Sequence, residues 1–114
     1  MKFNEIREMA LSFPGVEEQL AFGRPTYKLS KRFLACIAKI DDDTLCIKVP
    51  DQREREYLLA TRPEIYYLTD HYANFGALLV RIPQADPAEL RDLFEQAWRT
   101  FATKRLIAQF AAPE

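Results

Sequence analysis

One histidine, two cysteines and three glycines are all that these 114 residues contain of three types on which sites are often built. Each scarcity removes a class of chemistry. A protein-bound transition metal asks for several ligands, and here His71 would have only the separated Cys36 and Cys46 to work with, so no metal centre is expected. The two cysteines form neither a CxxC pair nor a secreted disulfide framework, and they read as reduced, partly buried thiols. Gly15, Gly23 and Gly76 lie far apart and make neither GxGxxG nor a phosphate loop, and GxSxG is missing as well. No cofactor and no enzymatic activity are expected. Charge of one sign is also lacking: 16 basic against 17 acidic residues give a net charge of −1, so any attraction to nucleic acid must be local. No apolar run is long enough to span a membrane, and the first eight residues are charged where a signal peptide would be apolar. The reading is of a cytoplasmic protein without a membrane partner.

What is present describes one α+β domain over residues 1–114. Phe3, Ile6, Met9, Ala10 and Phe13 recur at helical spacing until Pro14 and Gly15, which predicts a helix over about 3–12. A linking stretch over 16–23 precedes strands at 25–29, 33–40 and 44–49, with turns at 30–32 and 41–43. A short charged helix follows at 51–60, capped by Asp51 and stopped by Pro63. Strands at 65–68 and 77–82 come next. The last helix opens with Asp86 as N-cap and Pro87, and sets Leu90, Leu93, Phe94, Ala97, Trp98 and Phe101 on one face. The order α-β-β-β-α-β-β-α predicts a single antiparallel sheet with the N- and C-terminal helices packed on one face.

If the turns are three-residue loops, strand alternation places Tyr27, Leu29, Phe33, Ala35, Ile37, Leu45, Ile47, Val49, Leu78, Val80 and Ile82 in the core. The opposite face then carries Lys28, Leu34, Cys36, Ala38, Ile40, Cys46, Lys48, Leu79 and Arg81. Such a mixture of apolar and cationic groups is either a contact surface or a face covered by another part of the chain.

Arg24, Lys28, Lys31 and Arg32 fall within nine positions that hold no acid and are interleaved with Tyr27 and Phe33. A cluster of this kind can sit on phosphates, and it can equally be a solvated edge that discourages strand pairing. Lys48 and Arg81 would extend it across the sheet, and Tyr66, Tyr67 and Tyr72 are candidates for stacking on bases. His71 and Asn74 are the candidates for a small pocket. Asp70 beside His71 is not thereby an acid-base partner, because neighbours on an extended chain point to opposite sides. The run 41–43 of three aspartates has the composition of a tight turn and lacks the glycine and distal glutamate of a calcium loop.

The segments GRPTYKLSKRFLA at 23–35, LTDHY at 68–72 running on to LVR at 79–81, and PAELRDLFEQAW at 87–98, with FPGV at 13–16, resemble the MmcQ/YjbR family over about residues 9–98. The resemblance implies a compact fold likened to frataxin-type proteins and to the double-wing DNA-binding domain of a phage transcription factor. It also implies DNA as a partner, and the surface that the residues themselves offer for it is made by Arg24, Lys28, Lys31, Arg32, Lys48, Arg81, Tyr67 and Tyr72. Two departures stand out. Many members carry a basic Asn-Lys-x-His-Trp segment where this chain has Leu68, Thr69, Asp70, His71 and Tyr72. Iron handling of the frataxin type would need an acidic ridge on the first helix, whereas Lys2, Glu5, Arg7 and Glu8 balance one another. Three functions therefore stand as expectations. DNA binding by the cationic surface leads, followed by protein interaction or homodimerisation around Leu34, Ile40 and Leu79, and last by a ligand pocket or enzyme at His71.

Overall fold

The structure, a computed structural model, describes residues 1–38, 40–70, 72 and 76–111. The first helix, α1 (Phe3–Leu11), buries Ile6 and Ala10. Its first turn is closed by the Lys2 amide donating to Glu5 Oε1 at 3.0 Å, and Ser12 Oγ donates back to the Met9 carbonyl at 2.6 Å where it ends. Gly15 then takes φ +81°, with Leu29 Cδ1 only 2.9 Å from where a Cβ would stand. That backbone turns the chain straight into β1 (Val16–Ala21).

β1 replaces the linking stretch expected from the sequence. It is an edge strand whose four central residues are exposed, so it carries no alternation of apolar and polar groups to announce it. Its order comes from the ladder to β2 (Arg24–Leu29), joined through a two-residue turn in which Phe22 and Gly23 have φ +53° and +78°. Glu18 anchors it further, accepting from the Tyr27 hydroxyl at 2.9 Å and from Arg7 Nε at 2.9 Å.

A second two-residue turn, Ser30 and Lys31 at φ +48° and +69°, leads to β3 (Arg32–Ile37). The turn is therefore one residue shorter than expected, and the extra residue reappears as a bulge. Lys28 pairs with Phe33 and Tyr27 with Ala35, leaving Leu34 between them without a partner. This exchanges two side chains across the sheet: Leu34 enters the main core, and Phe33 moves to the opposite face. The remaining strands are β4 (Thr44–Lys48), β5 (Tyr66–Tyr67) and β6 (Ala77–Arg81), with α2 (Gln52–Thr61) between β4 and β5. All pair antiparallel in the order β1-β2-β3-β4-β6-β5.

One face of this sheet is covered by α1 and by α3 (Pro87–Phe101), whose Leu90, Leu93, Phe94, Ala97 and Trp98 are buried as the helical spacing predicts. Asp86 caps α3 by accepting from the Ala88 amide at 3.0 Å. The chain continues past α3, where the sequence reading had placed no element, into α4 (Lys104–Ala111), which begins where the Leu106 amide donates to Thr103 Oγ1. Phe110 from α4 packs with its ring centroid 5.4 Å from that of Phe13 and 5.0 Å from that of Trp98, against the edge of the core. The protein is an α+β fold, with four helices and a six-stranded antiparallel sheet among the described residues.

Candidate nucleic-acid interface

The face of the sheet turned away from α1 and α3 has its own small apolar layer. Ala38, Cys46, Ala77 and Leu79 are buried there beneath Phe33, Cys36, Tyr67 and Tyr72. The period-two register puts them together: Cys36 stands opposite Cys46, Cys46 opposite Leu79, and Lys48 opposite Ala77.

Two cavities lie on this layer, of about 560 and 370 Å³. Phe33, Cys36 and Tyr72 line both, so the two form one groove along the sheet. The larger part is rimmed by Lys31, Arg32 and Lys48, with Phe101 closing it at the end of α3. Arg32 and Lys48 hold their charges 5.5 and 5.4 Å from the Phe101 ring centroid, within range of a cation–π attraction. The smaller part is lined by Arg24, Lys28 and Phe22 among others. Arg24 also donates to the Ala38 carbonyl at 2.8 Å and sits 3.7 Å from Asp42 Oδ1, so it braces the β3–β4 connection while it lines the groove.

Five of the six expected cations thus meet in one groove, together with Tyr72. Arg81 and Tyr67 do not join them. The Arg81 guanidinium lies 4.2 Å over the Tyr67 ring and donates to the Pro63 carbonyl at 2.9 Å, and neither residue lines either cavity. The Tyr67 hydroxyl is within 3.2 Å of Thr44 Oγ1. His71 and Asn74 fall outside the described residues. The apolar contact surface expected around Leu34, Ile40 and Leu79 loses two of its three members: the bulge takes Leu34 into the main core, and Leu79 is fully covered. Ile40 stays half-exposed.

Sequence reasoning assigned Phe33 and Phe101 to the core and so missed both as groove residues. Only the two-residue turn with its bulge reveals Phe33, and Phe101 extends the buried stripe of α3 without distinction. The aspartates at 41–43 form a turn, in which Asp41 Oδ1 accepts from the Asp43 amide and from Thr44 Oγ1, both at 2.8 Å. Among the described residues no three potential metal-ligating side chains come together. No helix of the described residues is long and apolar enough to cross a membrane.

The two thiols in the groove are not equivalent. The adjacent Cys46 thiol, by favouring the charged form of its neighbour, holds Cys36 below the ordinary thiol value against its own burial, with the Arg24 charge assisting. The neighbouring Cys36 and burial both push Cys46 upward.

Comparison with known proteins agrees with this architecture. A crystal structure of a Deinococcus radiodurans protein with a DUF419 domain superposes with a TM-score of 0.73 at 18% identity, covering 96% of this chain and 88% of that one; at this identity the likeness speaks for the fold. Uncharacterised proteins of Mycobacterium tuberculosis and Mycobacterium bovis are 30% identical over 95 residues, which is 82% of this chain and 74% of theirs. The model of the YjbR family matches residues 11–100, which takes in every strand of the sheet and nearly all of α3. With most of its length matched, the chain belongs to the YjbR family, the MmcQ/YjbR group that its sequence motifs resemble.

Proposed function

We propose that the protein binds DNA through the groove on the outer face of its sheet, as single strands in preference to duplex, and that it does so without a chemical step. The observation that carries this reading is a cationic rim over an aromatic and apolar floor. Lys28, Lys31, Arg32 and Lys48 can follow a phosphate backbone while Phe33, Tyr72 and Phe101 offer ring faces and edges to unstacked bases. A duplex keeps its bases stacked inside and would use the rim alone. The net charge of −1 confines attraction to this face, so affinity should be modest and strongly salt-dependent.

The test is fluorescence anisotropy with one labelled DNA sequence, presented as a single strand and as a duplex, at low and near-physiological salt. Tighter binding of the single strand is expected, with a log-log salt slope of about −2 or steeper, since each contact on a single strand contributes roughly −0.7. The double variant Lys28→Glu/Arg32→Glu should lose most of that affinity. No binding at low salt would overturn the reading, as would equal binding of both forms that the variant leaves unchanged.

A further inference from the structure

We infer that Cys36 and Cys46 form an oxidisable dithiol site on the groove floor, in which Cys36 reacts with a peroxide and Cys46 resolves the product to a reversible cross-strand disulfide. The two residues are direct partners on β3 and β4. The Ala38 amide donates to the Thr44 carbonyl at 2.9 Å, which makes that pair a hydrogen-bonded one; two residues along each strand, Cys36 and Cys46 occupy the next site of the same kind. Cα atoms at such sites stand about 5.5 Å apart, inside the range a disulfide spans. Directly opposed Cβ atoms generally stand about 4.5–5.5 Å apart, at or beyond the upper end of what a relaxed disulfide spans, so a bridge at such a site is expected to be more readily reduced than a structural one.

Access differs in the sense the chemistry needs. Cys36 is half-buried and forms a wall common to both parts of the groove, whereas Cys46 is buried and borders only the larger part. The neighbouring Cys46 thiol and the nearby Arg24 favour the Cys36 thiolate, the form that attacks. In the first step the Cys36 sulfur bonds to one peroxide oxygen, the O–O bond breaks, and hydroxide leaves and takes up a proton. Cys36 is then a sulfenic acid. In the second step the Cys46 sulfur bonds to the Cys36 sulfur, the S–O bond breaks, and the Cys46 proton leaves with the departing hydroxide as water. Two electrons pass from the thiols to the peroxide, and an external dithiol can return them.

The experiment treats folded protein with hydrogen peroxide and reads its intact mass and the alkylation of each cysteine. A monomer lighter by two hydrogens is expected, with both thiols closed to iodoacetamide and reopened by dithiothreitol. Cys46→Ala should abolish the mass loss and leave Cys36 as a sulfenic acid that dimedone traps; Cys36→Ser should leave Cys46 reduced. The inference is overturned if wild-type Cys36 proceeds to sulfinic acid while Cys46 stays alkylatable on denaturation, if the bridge forms only between molecules, or if both thiols resist while a free-thiol control is oxidised. None of these readouts involves DNA, so the outcome stands apart from the proposed function.

Discussion

The indole nitrogen of Trp98 donates a 2.8 Å hydrogen bond to the carbonyl of Pro14, across 84 positions of sequence. It fastens the last turn of α3 to the turn between α1 and β1, and the ring is fully buried. Trp98→Phe keeps an aromatic ring but leaves that carbonyl without its donor and part of the site empty. A loss of about 1–3 kcal/mol of stability is expected by chemical denaturation, from the buried acceptor alone.

Gly15 and Gly23 separate two costs that are usually confounded. Both have positive φ, +81° and +78°, so alanine at either meets the left-handed penalty of about 1–2 kcal/mol. Only at Gly15 would the new Cβ also press on Leu29 and Leu106, whereas Gly23 has open space around it. Gly15→Ala should therefore lower the denaturation midpoint clearly more than Gly23→Ala does.

Alkaline titration should find Tyr27 and Tyr66 protonated well after ordinary phenols have ionised. Burial pushes both up, reinforced by their bonds to Glu18 and Glu89. Above about pH 10 the unfolded chain sheds these protons while the folded chain keeps them, so the unfolded state binds fewer and stability falls as pH rises. It is undiminished by these groups below that value. Denaturation midpoints measured from pH 8 upward, alongside the phenolate absorbance of the folded protein, check both statements.

Lys48 and Arg81 project from the same side of neighbouring strands but should behave differently toward DNA. Lys48 rims the groove, and Arg81 is held over Tyr67 and by Pro63. Lys48→Ala should reduce the magnitude of the single-strand salt slope by about 0.7, one phosphate contact, and Arg81→Ala should leave it unchanged. The anisotropy titration described above measures both.

The helices that bury a stripe were legible in the sequence, because Ile6 and Ala10 in α1 and the Leu90 to Trp98 series in α3 repeat with the period of a helix. β2 to β6 were legible from their apolar runs. β1 was not, since its exposed acidic and amide side chains hide an element that backbone pairing creates. The cations of the groove could be grouped from their density between Arg24 and Arg32, yet their aromatic counterpart Phe33 could not. Its side of the sheet depends on a two-residue turn followed by a bulge, and a single residue of register reverses every assignment between them.

The sheet order has a kinetic consequence. Among the described residues four of its five strand pairings, β1 with β2 through β3 with β4 and then β5 with β6, join neighbours along the chain, and only β4 with β6 reaches past another strand. Short loops of this kind close at little entropic cost, so the meander can assemble from local encounters. The ring cluster in which Trp98 and Phe110 come to rest on Phe13 joins residues far apart in sequence and forms later. Phe94 and Trp98 cover one side of the Phe13 ring, and Phe110 of α4 adds the last ring to this cluster, so the aromatic packing at the foot of α1 is complete only once α4 has docked.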